Sequence, residues 1–243
     1  MGRINFFEEL FGDKEYKMRK LSYNLYWQIR RPKGKEGIIP KKRDFIIRSF
    51  IESGSTVLDI GCGDGRLINF LEKTNKNICK GIDFSSVAVR LARRLNLNVL
   101  LATDLEKALE REEKYDYVIM SEFIEHLVDP ESIMNKVSKI FKKGIIITFP
   151  NIGHLAYRLR LLTGGFPQCW KWHPGEHIRF WTKRDFIKWI EKDNNNFPSL
   201  KVDRMRSIEG TPILEKINDS LFSYNFIAKI GRKNCKRVKV SDF

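Results

Sequence analysis

The stretch Val57-Leu58-Asp59-Ile60-Gly61-Cys62-Gly63-Asp64-Gly65-Arg66 constrains the chain more than any other. An apolar run holding a single acid reads as a buried strand. Three glycines at alternate positions follow, and a helical pattern of apolar residues opens at Arg66. Glycines belong there because a Cβ would forbid the φ values of such a turn and the close approach of backbone to a ligand. The helix beyond presents free N–H groups to the loop. Downstream, apolar runs at 56–60, 78–82, 99–102, 115–120 and 145–149 alternate with helical stretches at 66–73, 86–95 and 130–142. This alternation predicts an α/β fold, a mostly parallel sheet with helices on both faces. A helix over 183–192 and strands over 200–206 and 222–230 complete a seven-stranded pattern, the last two as an antiparallel hairpin across the long connection 207–221.

The loop reads GxGxG. A dinucleotide pyrophosphate site reads GxGxxG, and a phosphate-binding P-loop requires GK[ST], which is absent. Asp59 and Asp64 would repel a pyrophosphate and attract a ligand carrying an amino group and a sulfonium. Asp83 closes Gly81-Ile82-Asp83-Phe84, about 20 residues on, where a ribose-binding carboxylate belongs in such folds. Phe84 offers a face to adenine. Asp104 closes the third strand in Ala102-Thr103-Asp104-Leu105, within reach of an exocyclic amine.

These residues, with the segment Tyr115-Asp116-Tyr117-Val118-Ile119-Met120-Ser121-Glu122-Phe123-Ile124-Glu125-His126, resemble the class I S-adenosylmethionine-dependent methyltransferases in order and spacing over roughly 40–230. The resemblance implies a Rossmann-like fold, transferase activity, and S-adenosyl-L-methionine as cofactor. It assigns Asp59, Gly61 and Gly63 to the methionine part, with Cys62 between the glycines, and Asp83 to the ribose. Phe84, Asp104 and Leu105 fall to the adenine, and Ser121 to the mouth where methyl transfer occurs.

Alignment of donor and acceptor can supply about 7–11 kcal/mol of a displacement barrier, so the acceptor leaves a faint imprint on sequence. The fourth strand ends in Met120-Ser121-Glu122-Phe123, not the Asn/Asp-Pro-Pro-Tyr/Phe of amide and exocyclic-amine methylases. No Pro-Cys nucleophile for cytosine carbon 5 is present, since Cys169 follows Gln168. Read as a helix, Glu122, Glu125 and His126 would share one side, with His126 as general base toward a hydroxyl. With His177, these residues resemble the Glu-x-x-Glu-His…His pattern of metal-dependent small-RNA 2′-O-methyltransferases, and ubiquinone-pathway O-methyltransferases share its first half. A divalent metal is compatible with that set but is not the expectation, since Glu-His pairs are widespread without one. His173-Pro174-Gly175-Glu176-His177 spells an inverted zinc-protease motif. Pro174 and Gly175 would break the helix that motif needs.

After the fifth strand, Thr148-Phe149-Pro150-Asn151-Ile152-Gly153-His154, the Arg-Leu-rich run 158–162 and His177 resemble the methionine-biosynthesis W-protein (MetW-like) family, which is associated with a homoserine acyltransferase. His154 reads as a pocket-wall residue. Three organisational units follow: a basic aromatic cap at 1–40, a methyltransferase domain at 41–230 with an acceptor-side insertion at 151–180, and a basic tail at 231–243. The leading expectation is O-methylation of a small or lipid-linked, anionic acceptor. The alternatives are a W-protein-like partner of the acyltransferase and an RNA 2′-O-methyltransferase.

Charge bears on the choice. The 45 Lys and Arg against 30 Asp and Glu leave +15, concentrated in the cap and tail (Arg30, Arg31, Lys33, Lys35, Lys41, Lys42, Arg43; Arg232, Lys233, Lys236, Arg237, Lys239). This keeps nucleic acid open as a partner. No apolar run reaches the roughly 18 residues of a membrane span. The four cysteines, Cys62, Cys79, Cys169 and Cys235, form no CxxC pair, and the expected setting is cytoplasmic.

Overall fold

The computed structural model of the chain describes residues 6–12, 22–31, 39–169, 173–191 and 200–233. Three helices precede the sheet: α1 (Phe6–Phe11), α2 (Tyr23–Arg30) and α3 (Lys42–Arg48). The alternating part runs β1 (Thr56–Ile60), α4 (Arg66–Asn75), β2 (Ile78–Asp83), α5 (Ser86–Arg93), β3 (Val99–Leu101), α6 (Leu105–Glu110), β4 (Tyr115–Ser121), α7 (Pro130–Ile140) and β5 (Phe141–Pro150). Then come α8 (Leu155–Leu162), α9 (Lys183–Glu191), β6 (Leu200–Ile208), α10 (Pro212–Phe222) and β7 (Asn225–Arg232).

The strands form one seven-stranded sheet in the order β3-β2-β1-β4-β5-β7-β6. The β1–β2, β1–β4, β2–β3 and β4–β5 pairs are parallel, and β7 is antiparallel to both β5 and β6. The α/β expectation and the edge hairpin therefore hold. The long connection between the hairpin strands contains α10, started by Pro212 at its first turn. The boundary between α7 and β5 moves: α7 ends at Ile140, and Phe141 pairs with Tyr115 at the start of β5, so 141–142 are strand and not helix.

Alternation along the buried strands feeds two cores, one on each face. Leu58, Ile60, Val118, Met120, Ile145 and Ile147 point to one, which α7 and α9 cover through Ile133, Val137, Phe186 and Ile190. Val57, Tyr117, Ile119 and Ile146 point to the other, with Ile47, Ile68, Leu71 and Val89 from α3, α4 and α5. Helix starts follow local chemistry: Ser85, Asp104 and Asp129 each accept the N–H three residues ahead. All four parallel strand connections leave their loops on one edge, and the order reverses between β1 and β4. That edge is where α/β sheets bind ligands.

The Phe-Pro-Asn-x-Gly-His stretch owes its character to anchoring. Asn151 is wholly buried. Its side-chain amide donates to the carbonyls of Ser220 (2.9 Å) and Ser223 (2.8 Å), and its Oδ1 accepts from Gly153 N (3.0 Å). His154 caps α8 by accepting from Ala156 N and stacks on Tyr224 at 3.7 Å between ring centroids. Burial pushes its pKa down to about 4, so the ring stays neutral. Asn151→Ala strips partners from a buried carbonyl, a part-buried carbonyl and a buried N–H, and is expected to cost about 2–4 kcal/mol in urea unfolding. A loss below about 0.5 kcal/mol, the scatter of surface substitutions, would show that this anchor does not hold the end of β5.

Candidate active site

The glycine loop leaves β1 with Gly61 at φ 75° and Gly63 at φ 59°, conformations that L side chains avoid. A Cβ on Gly61 would meet the Phe123 ring at 2.3 Å, and one on Gly63 would meet the Trp27 ring at 2.4 Å. Gly63 N donates to Asp83 Oδ2 (2.8 Å), and Ser85 N donates to Oδ1 (2.8 Å), so β2 is tied to the loop and the Asp83 carboxylate is oriented by two N–H groups. Asp59 is buried at the end of β1. Burial, with Asp83 close by, pushes its carboxyl up to about 8. A buried acid held neutral at this edge suits a cationic ligand, whose charge would offset the cost of ionising it. Both acids fit the amino group and ribose of S-adenosylmethionine.

The remaining expected donor residues divide. Cys62 is buried, and its Sγ faces Gly81 inside the core, so any part it takes is through its backbone. Phe84 is exposed, with its ring edge-on to Tyr23 at 4.8 Å. Asp104 caps α6 and pairs with Lys107. Asp104 and Leu105 line an open depression of about 740 Å³ together with Leu127, Val128 and Ile133. Ser121 lies at the end of β4, its hydroxyl 3.2 Å from that of Thr148.

Beyond β4 the chain does not form the helix that would align Glu122 with His126. Glu122 takes φ 54°, and only a single 3-10 turn, Ile124–His126, follows. Glu122 turns instead to Arg43 (3.0 Å) and Thr148 Oγ1 (3.0 Å). Glu125, His126 and His177 do converge, each offering a ligand atom within 4.8 Å of the others. Ile178 N and Arg179 N donate to the Glu125 carbonyl at 3.0 and 3.1 Å, which brings the His177 segment across. His126 Nδ1 contacts the carbonyl oxygen of Glu176. A carbonyl can only accept, so Nδ1 carries the proton and Nε2 is left as base or ligand. Nε2 lies 4.0 Å from Glu125 Oε1. Burial lowers the pKa of His126 and raises that of Glu125 well above the carboxylate range. Both Glu125 oxygens are buried without a hydrogen-bond partner. An acid in that condition is either protonated or faces a cation, so Glu125, His126 and His177 fit a divalent metal, and Glu122 departs from the four-residue pattern.

The expectation of a basic face is revised for several of the named cations. Arg31 is bound to Asp64, and Arg43 is buried between Glu122 and Glu209. Arg30 lies over the Trp27 ring, Arg232 donates to the carbonyl of Ser138, and Lys233 to that of Glu191. These cations are structural and do not form a free basic face. Lys33, Lys35, Lys236, Arg237 and Lys239 lie outside the described residues. Sequence reasoning missed Tyr23, whose ring is edge-on to His126 at 5.8 Å, and Trp27. Their helical spacing with Tyr26 was visible, but not the surface it would meet.

The family model described as "Methionine biosynthesis protein MetW" matches residues 42–231, most of the chain. The chain belongs to the MetW family. Curated relatives of this MetW-family chain include the ubiquinone biosynthesis O-methyltransferase of Hydrogenovibrio crunogenus, 32% identical over 123 residues, covering 47% of this chain and 50% of the relative. That of Colwellia psychrerythraea is 30% identical over 178 residues, covering 68% and 69%. The chain thus spans about half the length of the first relative. Among solved structures, a TehB-like S-adenosylmethionine-dependent methyltransferase from Corynebacterium glutamicum superposes with TM-score 0.57 at 16% identity, over 86% of this chain and 97% of that one. One from Archaeoglobus fulgidus gives 0.56 at 19%, over 87% and 99%. The fold is that of the class I methyltransferases.

In the MetW-family protein, the folded value of about 8 for Asp59 lies above its ordinary 3.8. The native state therefore loses stability as pH rises from about 4 to 8, and the loss levels off above that. Asp59→Asn is expected to raise the melting temperature of the ligand-free protein by roughly 4 °C or more at pH 9, with the gain shrinking toward pH 5. A gain that does not change with pH would contradict a buried, neutral Asp59.

Proposed function

We propose that this MetW-family protein is an S-adenosylmethionine-dependent O-methyltransferase for a small or lipid-linked hydroxylated acceptor. The observation that carries the reading is His126, whose Nδ1 meets the Glu176 carbonyl and whose ring meets Tyr23 at 5.8 Å, the same ring that lies 4.8 Å from Phe84 at the end of β2. Relatives named ubiquinone biosynthesis O-methyltransferases support oxygen as the atom methylated. The buried free thiols of Cys62 and Cys79 are compatible with a cytoplasmic setting.

S-adenosylmethionine, when bound, supplies an activated methyl group. Asp59 would meet its amino group and ionise, Asp83 would accept from the ribose hydroxyls, and Asp104 and Leu105 would border the adenine. The backbone at Gly61, Cys62 and Gly63 follows the methionine part, and Ser121 lines the mouth. In transfer, the acceptor oxygen would bond to the methyl carbon as the carbon–sulfur bond breaks with the electron pair left on sulfur, and His126 Nε2 would take the hydroxyl proton. A neutral histidine suits a phenolic hydroxyl, whose pKa near 10 is within reach. A divalent cation on Glu125, His126 and His177 would acidify the hydroxyl directly. It would also occupy Nε2, so His126 cannot serve as base and ligand together.

The match to the MetW model favours a second reading, a partner of a homoserine acyltransferase. It predicts stable co-purification with that enzyme and no turnover on hydroxylated acceptors.

Methyl transfer from labelled donor to a panel of ortho-dihydroxyphenols tests the first reading. His126→Gln is expected to lower kcat by about 10²–10³-fold with donor affinity unchanged. Insensitivity to chelator supports the histidine base, whereas loss with chelator and recovery with Mg²⁺ or Mn²⁺ assigns the role to the cation. Absence of transfer to every acceptor would overturn the proposal.

A further inference from the structure

Helix α2 lies outside the residues that match the MetW family, yet it makes its contacts on the donor edge. Trp27 packs its ring on Gly63. Tyr23 lies between Phe84, at 4.8 Å, and His126, at 5.8 Å, both edge-on. The ends of the helix are fixed by polar contacts. Asn24 Oδ1 accepts from the Ser85 hydroxyl at 2.8 Å, which joins α2 to the start of α5. Arg31 donates through Nε (2.9 Å) and a terminal nitrogen (2.7 Å) to Asp64 Oδ2, inside the glycine loop.

Each of these partners stands next to a residue that the proposed function assigns to the donor. Gly63 and Asp64 belong to the loop along the methionine part, Ser85 orients Asp83 through its N–H, and Phe84 and His126 border the adenine and the methyl group. Packing alone does not account for this placement. No α2 residue is fully buried, and Leu25 and Ile29 remain 39% exposed, so the helix gains little from the core. Its cohesion comes from two aromatic rings and two polar anchors, all directed at the donor edge.

We infer that α2 is a wall of the donor pocket, in which Trp27 and Tyr23 enclose the bound donor and the Arg31–Asp64 pair latches the helix in place. This inference rests on the donor-binding reading above and adds to it residues that determine how tightly and how long the donor is held. A side-chain wall latched to the loop slows release, because the latch contacts must break before the ring can leave Gly63. In the Arg31–Asp64 pair both nitrogens converge on Oδ2 in charge-assisted hydrogen bonds, while Oδ1 accepts from Arg66 N at 3.4 Å, which ties the pair to the start of α4.

The test is the dissociation rate of labelled S-adenosylmethionine chased by unlabelled S-adenosylhomocysteine, together with kcat and KM for the donor. Arg31→Ala and Trp27→Ala are each expected to speed dissociation and raise the donor KM by about tenfold, with kcat at saturation within about twofold. Arg31→Lys should recover part of the loss, and Gln28→Ala, on the exposed side of α2, should behave as wild type. Arg31 lies just beyond the end of α2 with its side chain part-exposed, at 19%, so its replacement keeps the test valid if the Trp27 variant fails to fold. Wild-type release rates in both variants would overturn the inference while donor binding stood. Tighter binding by Trp27→Ala would also overturn it, by showing that the ring occupies the donor's place. A wild-type protein that binds no donor would overturn the inference together with the reading beneath it.

Discussion

A carboxyl group buried at the end of a central parallel strand, with another carboxyl nearby, is the constraint around which the functional edge is arranged. Asp59 gains nothing from the empty fold: burial keeps it neutral, and Asp83 adds repulsion to any charge it takes. A domain assembled only for stability would place an apolar residue there, as it does at Leu58 and Ile60 on either side. The surrounding features follow from keeping a polar cradle open at that point. Gly61 and Gly63 turn the chain without side chains, Gly63 N and Ser85 N hold Asp83 from the loop and from the start of α5, and the reversal between β1 and β4 separates the loops on either side. Fold and site are thus one construction, because the same register that buries Val57 and Leu58 delivers Asp59 and the glycines to the edge.

Much of this was legible in the chain. Short apolar runs separated by helical stretches predict the sheet, and every strand found here overlaps an expected one. The boundary at 140–142 was not legible, because Phe141 and Lys142 continue the helical spacing of α7 while Phe141 also pairs with Tyr115 across the sheet. Only the tertiary partner decides between them. The reading of Glu122 failed for a related reason. Spacing of i, i+4 implies a shared face only if the segment is helical, and Arg43, from an element about 80 residues earlier, draws Glu122 the other way. His177 could be named from sequence but not placed. Its arrival depends on two backbone N–H groups meeting the Glu125 carbonyl.

Net charge proved the least transferable signal. Counting +15 and noting its location suggests a face for an anionic partner, yet Arg31, Arg43 and Arg232 are engaged inside the protein. A guanidinium within hydrogen-bond reach of a carboxylate contributes to architecture and not to a surface field. The acids of the donor motif recruit part of this positive charge themselves. Asp64 takes Arg31 and so brings an N-terminal helix from outside the family's shared core onto the glycine loop. The cap and the cradle are therefore coupled by the same electrostatics that distinguishes this loop from a pyrophosphate site.

The central claim is that the Asp59 edge binds a cationic methyl donor, and titration calorimetry of S-adenosylmethionine at pH 7 tests it most directly. Two buffers of different ionisation enthalpy separate binding heat from proton transfer. Asp59 is neutral in the empty protein and ionised against the donor, so one-to-one binding should release about one proton, and Asp59→Asn should abolish that release. Binding without proton release, or no binding at millimolar donor, would contradict the claim.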